Sequence, residues 1–263
     1  GPKLAALESA GLALDFFRSF NASWHNTSTY FKQFREINTT GLLNCSQSKF
    51  AVPEVTAKYL EITNDTGGVD EISPGVYVAK CEGGLGGHWW LAPACRDDPD
   101  TCIPVIDAGD GWATDVFMQR AAAFNMPLAL SVGTWDKYIA EPITTDMLFY
   151  WWSPDTAFID LRPTPVMFPP NDKAEWAKGR KTTDSVKVPC MTRVHHSIPE
   201  VASRAAELLG NLQLALSQLE VMLVETKANP SKPEADIACD WLKANPDVWS
   251  SWVPYETKCA LGW

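Results

Sequence analysis

A helical segment between two strand-like runs is the feature that most constrains the fold of this chain. The residues from Asp115 to Asn125, DVFMQRAAAFN, are helix formers, and they lie between the apolar runs Ile103 to Ile106 and Leu128 to Val132. A strand, a helix and a second strand in this order form a β-α-β unit, in which the two strands run parallel. The sequence therefore predicts an α/β fold with mixed, mainly parallel sheets.

Other segments of the chain fit the same fold class. Three further runs are short, apolar and strand-like: Val76 to Lys80, Trp89 to Ala92 and Met147 to Trp152. Two apolar stripes at helical spacing predict helix over residues 4–37. Toward the C-terminus, helix-start signals and helical spacing predict helices that begin near Ser197, Leu216, Ser231 and Asn245. We therefore expect the chain to end in helices.

Composition and charge exclude several classes of function. The 263 residues are 46% hydrophobic, which is enough to build a core. The net charge is −10 and no basic stripe is present to neutralise phosphates, so nucleic acid is not expected as a partner. The apolar runs have the length of strands and fall short of the roughly 20 residues that cross a bilayer. We therefore expect no direct membrane insertion.

Glycosylation motifs predict the compartment. Five Asn-x-Ser/Thr sequons lie in the first quarter of the chain, at Asn21, Asn26, Asn38, Asn44 and Asn64. Clustered sequons in a chain with seven cysteines are typical of secreted or cell-surface proteins. We expect an extracellular glycoprotein; an Asn- and Thr-rich segment of a cytosolic protein is the alternative.

The seven cysteines indicate disulfides rather than a zinc site, because none shows the paired C-x-x-C spacing. Proximity along the chain suggests two pairs, Cys95 with Cys102 and Cys239 with Cys259, although spacing does not establish connectivity. An odd number of cysteines leaves one thiol free or joined to another part of a longer protein.

Three stretches carry a resemblance to a known family. They are LFYWWSPDTAF from Leu148, VPCMTRV from Val188 with the helix start IPEVA from Ile198, and ACDWLKANPDVW from Ala238. In this order they resemble the substrate-binding proteins of ABC importers for glycine betaine, choline and related quaternary amines. The resemblance extends roughly from Gly83 to Trp252.

This resemblance implies a two-lobed periplasmic-binding-protein-like fold with C-terminal helices. Residues 1–93 and 157–263 would form lobe one, residues 94–156 would form lobe two, and a ligand would be held between them by hinge closure. The implied function is extracellular binding of a small methylated amine for uptake or sensing. The expected partners are that amine and a membrane-bound protein, or other domains of a longer parent protein.

The resemblance also implies an aromatic cage. A quaternary ammonium has no N–H to donate, so proteins surround it with aromatic rings, each contributing about 0.5 to 2 kcal/mol. The expected ligand contacts are Trp89, Trp90, Trp112, Tyr150, Trp152 and Asp155. Trp152 matches the family's Trp-x-Pro turn, and strand alternation puts Tyr150 on the same side. Trp112 follows a strand, at the end where open α/β sheets bind ligands.

Asp155 stands where family members often have a donor for the ligand's carboxylate. An acidic side chain there would repel the carboxylate of betaine, so we expect a preference for choline-like cations. The alternative is that Asp155 only caps the following turn.

Other constellations of residues point to neither a metal nor an enzyme. The aspartates between residues 97 and 110 do not match the EF-hand spacing, and His195 and His196 lack a third ligand. Catalytic and nucleotide-binding motifs are missing from the sequence, so no enzyme activity and no cofactor are expected. Two alternatives stay open. One is a ligand-free interaction or structural module of a glycosylated extracellular assembly that retains the fold. The other, a carbohydrate-active enzyme, rests only on the twelve tryptophans.

Overall fold

The computed structural model describes residues 31–109, 111–152, 154–156, 168–186 and 193–254, together with Ile159 and Val166. These residues divide into two compact units. Unit 1 contains the described residues up to Trp151, together with Val166 and 168–186; unit 2 contains those from Trp152 to Ile159 and 193–254. The two lobes predicted from the sequence, with boundaries after residues 93 and 156, stay a prediction.

Unit 1 is built from short strands. A hairpin of β1 (Val69–Ser73) and β2 (Val76–Ala79) is antiparallel. Five further strands of the described chain form one sheet: β3 (Cys81–Glu82), β4 (Trp89–Leu91), β5 (Ile103–Ala108), β6 (Leu128–Gly133) and β7 (Leu148–Phe149). Their order across the sheet is β3-β4-β6-β5-β7. Strand β5 is parallel to β6 and β7, whereas β4 is antiparallel to β3 and β6.

The helices of unit 1 connect or cover these strands. They are α1 (Pro53–Thr63), α2 (Thr114–Ala123), α3 (Trp135–Thr144) and the short α4 (Lys173–Ala177). Helix α2 joins β5 to the parallel strand β6, which confirms the predicted β-α-β unit. The sheet is not mainly parallel as predicted, since two of its pairings are parallel and two are antiparallel. Only residues 83–88 separate β3 from β4, too few for the crossover that a parallel pair requires.

The core of unit 1 lies around β5 and β6, in which every residue is buried. Successive residues of a strand point to opposite faces. A Cβ added to Gly111 would lie 3.3 Å from Val132, and one added to Gly133 would lie 3.3 Å from Lys137 of α3. The loop before α2 and helix α3 therefore cover opposite faces of β6, and this explains why burial does not alternate along this strand.

The helix predicted over residues 4–37 falls only in part on described residues. Residues 4–30 lie outside the described residues. From residue 31 onward the prediction is wrong, because the chain forms only a 3₁₀ turn at Phe34–Glu36 between the extended residues Gln33 and Ile37. Phe34 and Ile37 are both buried, so their helix-like spacing reflects core contacts of an irregular segment.

A polar network joins α1 to the chain that follows β4. Both oxygens of Asp65 accept hydrogen bonds from Arg96 at 2.8 Å, and the Tyr59 hydroxyl donates to Asp65 at 2.5 Å. Arg96 also donates to the Leu91 carbonyl at 3.0 Å. Burial alone would raise the pKa of Asp65, but the bonds from Arg96 and Tyr59 outweigh it and hold that pKa below its usual value. The ionised carboxylate therefore stabilises the fold.

Two disulfides are present in the described chain. Cys95 pairs with Cys102, as predicted, and closes the loop before β5. Cys45 pairs with Cys81, a pair that the proximity argument missed because 36 residues separate the two. Cys239 carries a free, exposed thiol, so the expected pair of Cys239 with Cys259 is not formed. Cys190 and Cys259 lie outside the described residues.

Unit 2 is helical over its described part. Its helices are α5 (Ile198–Val201), α6 (Ser203–Asn211), α7 (Leu216–Ala228), α8 (Glu234–Ala244) and α9 (Pro246–Trp249). They confirm the predicted C-terminal helices, and Trp241 of α8 stacks on Trp252 at a ring distance of 6.3 Å. In the described part of the chain, helices are too short or too polar to cross a membrane. The structure thus shows a mixed α/β chain with a five-stranded mixed sheet and C-terminal helices.

We predict that Asp65→Asn destabilises the protein by about 2 kcal/mol, because Arg96 and Tyr59 lose an ionised acceptor in a largely buried site. A carboxylate with a depressed native pKa stabilises the fold above its unfolded-state pKa, and that stabilisation disappears as the pH falls through the native pKa. The difference between wild type and variant, measured by urea denaturation, should therefore shrink on acidification. Glu61→Gln, which removes the exposed partner of Lys58 on α1, is the control and should leave the midpoint unchanged. Equal effects of the two variants would contradict the role of Asp65.

Candidate functional site

The candidate site lies at the carboxyl ends of β5, β6 and β7, and Asp107 near the end of β5 organises it. The Asp107 side chain is fully buried. Its carboxylate accepts hydrogen bonds from the backbone N–H groups of Ala108 and Ala113, at 2.9 and 2.8 Å, and from the Thr114 hydroxyl at 2.9 Å. These bonds tie both ends of the loop between β5 and α2 to one carboxylate.

Burial raises the pKa of Asp107, and the hydrogen bonds from Ala113, Thr114 and Ala108 oppose this shift. A buried carboxylate with three donors has its main hydrogen-bonding needs met, so its conformation is well defined. Asp107 is therefore a structural anchor for the loop.

Two glycines allow the tight path of this loop. Gly109 and Gly111 have φ values of +59° and +80°, a region that other residues rarely adopt. A Cβ on Gly111 would lie 2.1 Å from the Thr114 hydroxyl oxygen, which is too close for any side chain. The loop therefore packs directly against the group that bonds Asp107.

Trp112 lies in this loop, and Trp135 is the first residue of α3, immediately after β6. Both indoles are at the carboxyl ends of parallel strands, where open α/β sheets bind ligands. Their ring centroids are 5.9 Å apart with planes inclined by 48°. The two side chains are 50% and 45% exposed, respectively, so a pair of large aromatic surfaces faces solvent.

A third tryptophan extends the pair. Trp151, two residues beyond the end of β7, lies 6.4 Å from Trp135 with planes inclined by 27°. It also stacks on the buried Tyr138 of α3, at 5.0 Å and 12°. The Tyr138 hydroxyl donates to the Tyr150 carbonyl and so ties α3 to the segment after β7. We call Trp112, Trp135 and Trp151 the tryptophan row.

An ion pair lies on α3 near the row. Lys137 donates to Glu141 at 2.7 Å, and both side chains are largely buried. Burial alone would raise the pKa of Glu141, but the hydrogen bonds from Lys137 and Thr145 hold it below its usual value. The positive charge of Lys137 is therefore balanced within its own helix. Among the residues that the structure describes, no cluster of three or more His, Cys, Asp or Glu side chains is arranged to hold a metal ion.

The predicted ligand contacts occupy four different environments. Trp112 is part of the tryptophan row. Tyr150 lies beside the row in sequence, but its ring contacts Phe117 of α2, edge to face, at 6.5 Å. Trp152 and Asp155 belong to unit 2, where Trp152 is partly exposed and Asp155 half-buried.

Trp89 and Trp90 are core residues of β4. Trp89 packs edge to face on Phe34 at 5.4 Å. Trp90 packs on Tyr59 at 5.6 Å, and its indole N–H donates to the Gly68 carbonyl at 3.0 Å. Both side chains are buried, and the polar atom of Trp90 is already used within the protein.

Comparison with known proteins found no match: no family model, curated protein or solved structure matches this chain. The resemblance to the betaine- and choline-binding proteins therefore stays a prediction, and the geometry of unit 1 alone supports the candidate site.

Trp135 and Trp151 were missed by the sequence analysis. Trp135 follows strand β6 as Trp112 follows β5, so the rule that singled out Trp112 applies equally to Trp135. Trp151 was passed over because the family resemblance favoured its neighbour Trp152. The sequence therefore contained a signal for Trp135. It contained none for Trp151, whose stacking on Tyr138 is a tertiary contact.

We predict that Gly111→Ala destabilises the protein by about 2 kcal/mol more than Gly75→Ala. Both glycines have positive φ, +80° and +75°, so both variants carry the same backbone strain. Only at Gly111 does the new Cβ clash, with Thr114, while a Cβ at Gly75 meets nothing within 4 Å. Urea denaturation of the two variants measures the difference. Equal losses would show that the loop is not packed tightly against Thr114.

Proposed function

We propose that the protein binds a small quaternary-ammonium ligand, such as choline or a betaine, on the tryptophan row outside the cell, for uptake or sensing. The observation that carries the proposal is the exposure of two neighbouring indoles, Trp112 and Trp135, beside a well-packed sheet. Large apolar side chains gain about 1.5 to 3 kcal/mol from burial. Two half-exposed rings held side by side are therefore typical of a binding surface.

The chemistry of indole rings favours a methylated cation. The face of an indole is negative at its centre, and each contact with a cation contributes about 0.5 to 2 kcal/mol, most when water is excluded. Three rings of the row thus supply roughly 2 to 6 kcal/mol, and affinity at the micromolar level needs about 8 kcal/mol. Further contacts have to complete the site.

Rigidity supports the same proposal. The Trp112 loop is tied to the buried Asp107, and α3 is tied to the segment after β7 through Tyr138. A ligand that binds a preorganised surface does not have to offset the entropy of ordering it. The aromatic groups of unit 1 therefore suit the capture of a small ligand better than a flexible surface would.

The extracellular part of the proposal rests on disulfides and sequons. Disulfides persist mainly in oxidising compartments, and two are present in the described chain. The sequon residues Asn38 and Asn64 are exposed, while Asn21 and Asn26 lie outside the described residues. A two-lobed binding-protein fold and a membrane-bound partner belong to this proposal as expectations.

A second candidate is a ligand-free interaction module of a glycosylated assembly. It is favoured by apolar side chains that unit 2 leaves exposed, among them Val201, which is 74% exposed, Val221 and Val224. The free thiol of Cys239 fits the same candidate, since it is available to pair with another protein. Titration with small cations separates the two candidates, because only the first expects saturable binding.

We predict that calorimetric titration shows saturable binding of choline, and that Trp112→Ala and Trp135→Ala each weaken it by about 3- to 30-fold. Both side chains are half exposed, so the variants should stay folded. Trp176→Ala is the matched control, because Trp176 belongs to α4 and its indole N–H bonds Thr183 outside the row. A loss of affinity no larger than that of the control would contradict a site on the row.

We predict that 3,3-dimethyl-1-butanol, the neutral carbon analogue of choline, binds at least about tenfold more weakly than choline. The two molecules have the same shape and differ in the positive charge, so this pair isolates the cation–π contribution. The same calorimetry tests the preference expected from Asp155, which is tighter binding of choline than of glycine betaine. Equal affinity for choline and the neutral alcohol would contradict a cation site and would indicate a site that binds apolar groups only.

A further inference from the structure

One of the sequons overlaps a disulfide. The motif Asn44-Cys45-Ser46 has Cys45 as its middle residue, and Cys45 is bonded to Cys81 on β3. Cys45 is fully buried, whereas Asn44 is half-buried. Formation of this disulfide and glycosylation of Asn44 therefore involve neighbouring residues of one short segment.

The folded chain holds this segment on both sides of Asn44. The Leu43 N–H donates to the Val132 carbonyl at 2.8 Å, and the Cys45 N–H donates to the Gly87 carbonyl at 2.8 Å. Residues Cys45–Gln47 form a 3₁₀ turn, and the Asn44 N–H donates to the Gln47 side chain at 3.2 Å. A glycosyltransferase has to bind the Asn amide and the Ser46 hydroxyl together. The folded segment cannot bind in the active site of such an enzyme unless these hydrogen bonds to β6 and to Gly87 break.

The sequon at Asn38 provides the contrast. Asn38 is exposed, and its side-chain oxygen accepts from the Thr40 N–H at 2.9 Å within a surface loop. The residue between them is Thr39, so no disulfide forms inside this motif. Access to Asn38 is thus independent of the cysteines.

We propose that glycosylation of Asn44 is controlled by closure of the Cys45–Cys81 disulfide: the site accepts a glycan only while that bond is open. Cys81 is 36 residues later in the chain, which at about 5 to 20 residues per second corresponds to roughly 2 to 7 s of synthesis. Disulfide formation takes seconds or longer, so the two reactions compete on similar time scales. The fraction of chains that carry a glycan at Asn44 then shows how often glycosylation preceded closure of the disulfide. This inference rests on the proposed secretory route and not on the ligand.

Both reactions are ordinary secretory chemistry. In glycosylation, the Asn44 amide nitrogen bonds the anomeric carbon of a lipid-diphosphate-linked oligosaccharide, the anomeric C–O bond breaks, the lipid diphosphate leaves and the nitrogen loses one proton. In closure, the thiols of Cys45 and Cys81 lose two protons and two electrons to a protein disulfide, which is reduced to two thiols. The closed bond makes the segment rigid, and the first reaction stops.

The test is quantitative glycopeptide mass spectrometry of the full chain, secreted from cultured eukaryotic cells with an appended signal peptide. Cys81→Ser leaves the Asn44 sequon intact and prevents closure, and we expect it to raise Asn44 occupancy about twofold or more relative to wild type. Cys102→Ser is the matched control: it opens the disulfide with Cys95, which contains no sequon residue, and should leave Asn44 occupancy unchanged. Occupancy at Asn38 should be the same in all three proteins.

A second measurement covers the case in which Cys81→Ser misfolds. Brief treatment of cells making the wild-type chain with dithiothreitol keeps its thiols reduced during synthesis, and should raise occupancy at Asn44 but not at Asn38. The proposal is overturned if Asn44 occupancy is equal in wild type and Cys81→Ser, or if Cys102→Ser raises it as much. A parallel rise at Asn38 would point to general misfolding and also overturn it. If Asn38 carries a glycan and Asn44 never does, the coupling is wrong while the secretory route stands; if neither does, both are wrong.

Discussion

Burial of β5 and β6 on both faces is the constraint on which the rest of unit 1 depends. Every residue of the two strands is buried, so their carboxyl ends are held at defined positions between the loop before α2 and helix α3. Trp112 follows the first strand and Trp135 the second, and their separation follows from the spacing of neighbouring strands. The exposed aromatic pair is thus a product of the core beneath it.

Buried carboxylates in this protein connect structural elements through hydrogen bonds. Asp107 holds the loop between β5 and α2, and Asp65 joins α1 to Arg96 through charged hydrogen bonds. Both carboxylates are desolvated, but their pKa values shift in opposite directions. For Asp107 burial prevails and raises the pKa, whereas for Asp65 the bonds to Arg96 and Tyr59 prevail and lower it. The guanidinium makes the difference, because a full positive charge stabilises an anion more than neutral donors do.

Tryptophan has two separate roles in unit 1. Trp90 fills the core and satisfies its indole N–H on a backbone carbonyl. Trp112 and Trp135 instead expose much of their rings at the end of the sheet. The abundance of tryptophan in the sequence therefore does not distinguish rings that fill the core from rings that are exposed. The two roles differ in their position relative to the strands. Trp112 and Trp135 follow a strand and are half exposed, whereas Trp89 and Trp90 lie within β4 and are buried in the core.

The sequence by itself determined the β-α-β unit and the C-terminal helices, because hydrophobic periodicity is a local signal, and the short spacing of Cys95 and Cys102 suggested their disulfide. It also indicated Trp112, since the end of a strand can be recognised locally. Tertiary structure decided the antiparallel pairing of β4 with β6, the Cys45–Cys81 bond and the stacking of Trp151 on Trp135 and Tyr138. Each of these joins residues far apart in the chain, and their contacts depend on how separate elements pack, which no local pattern of residues encodes.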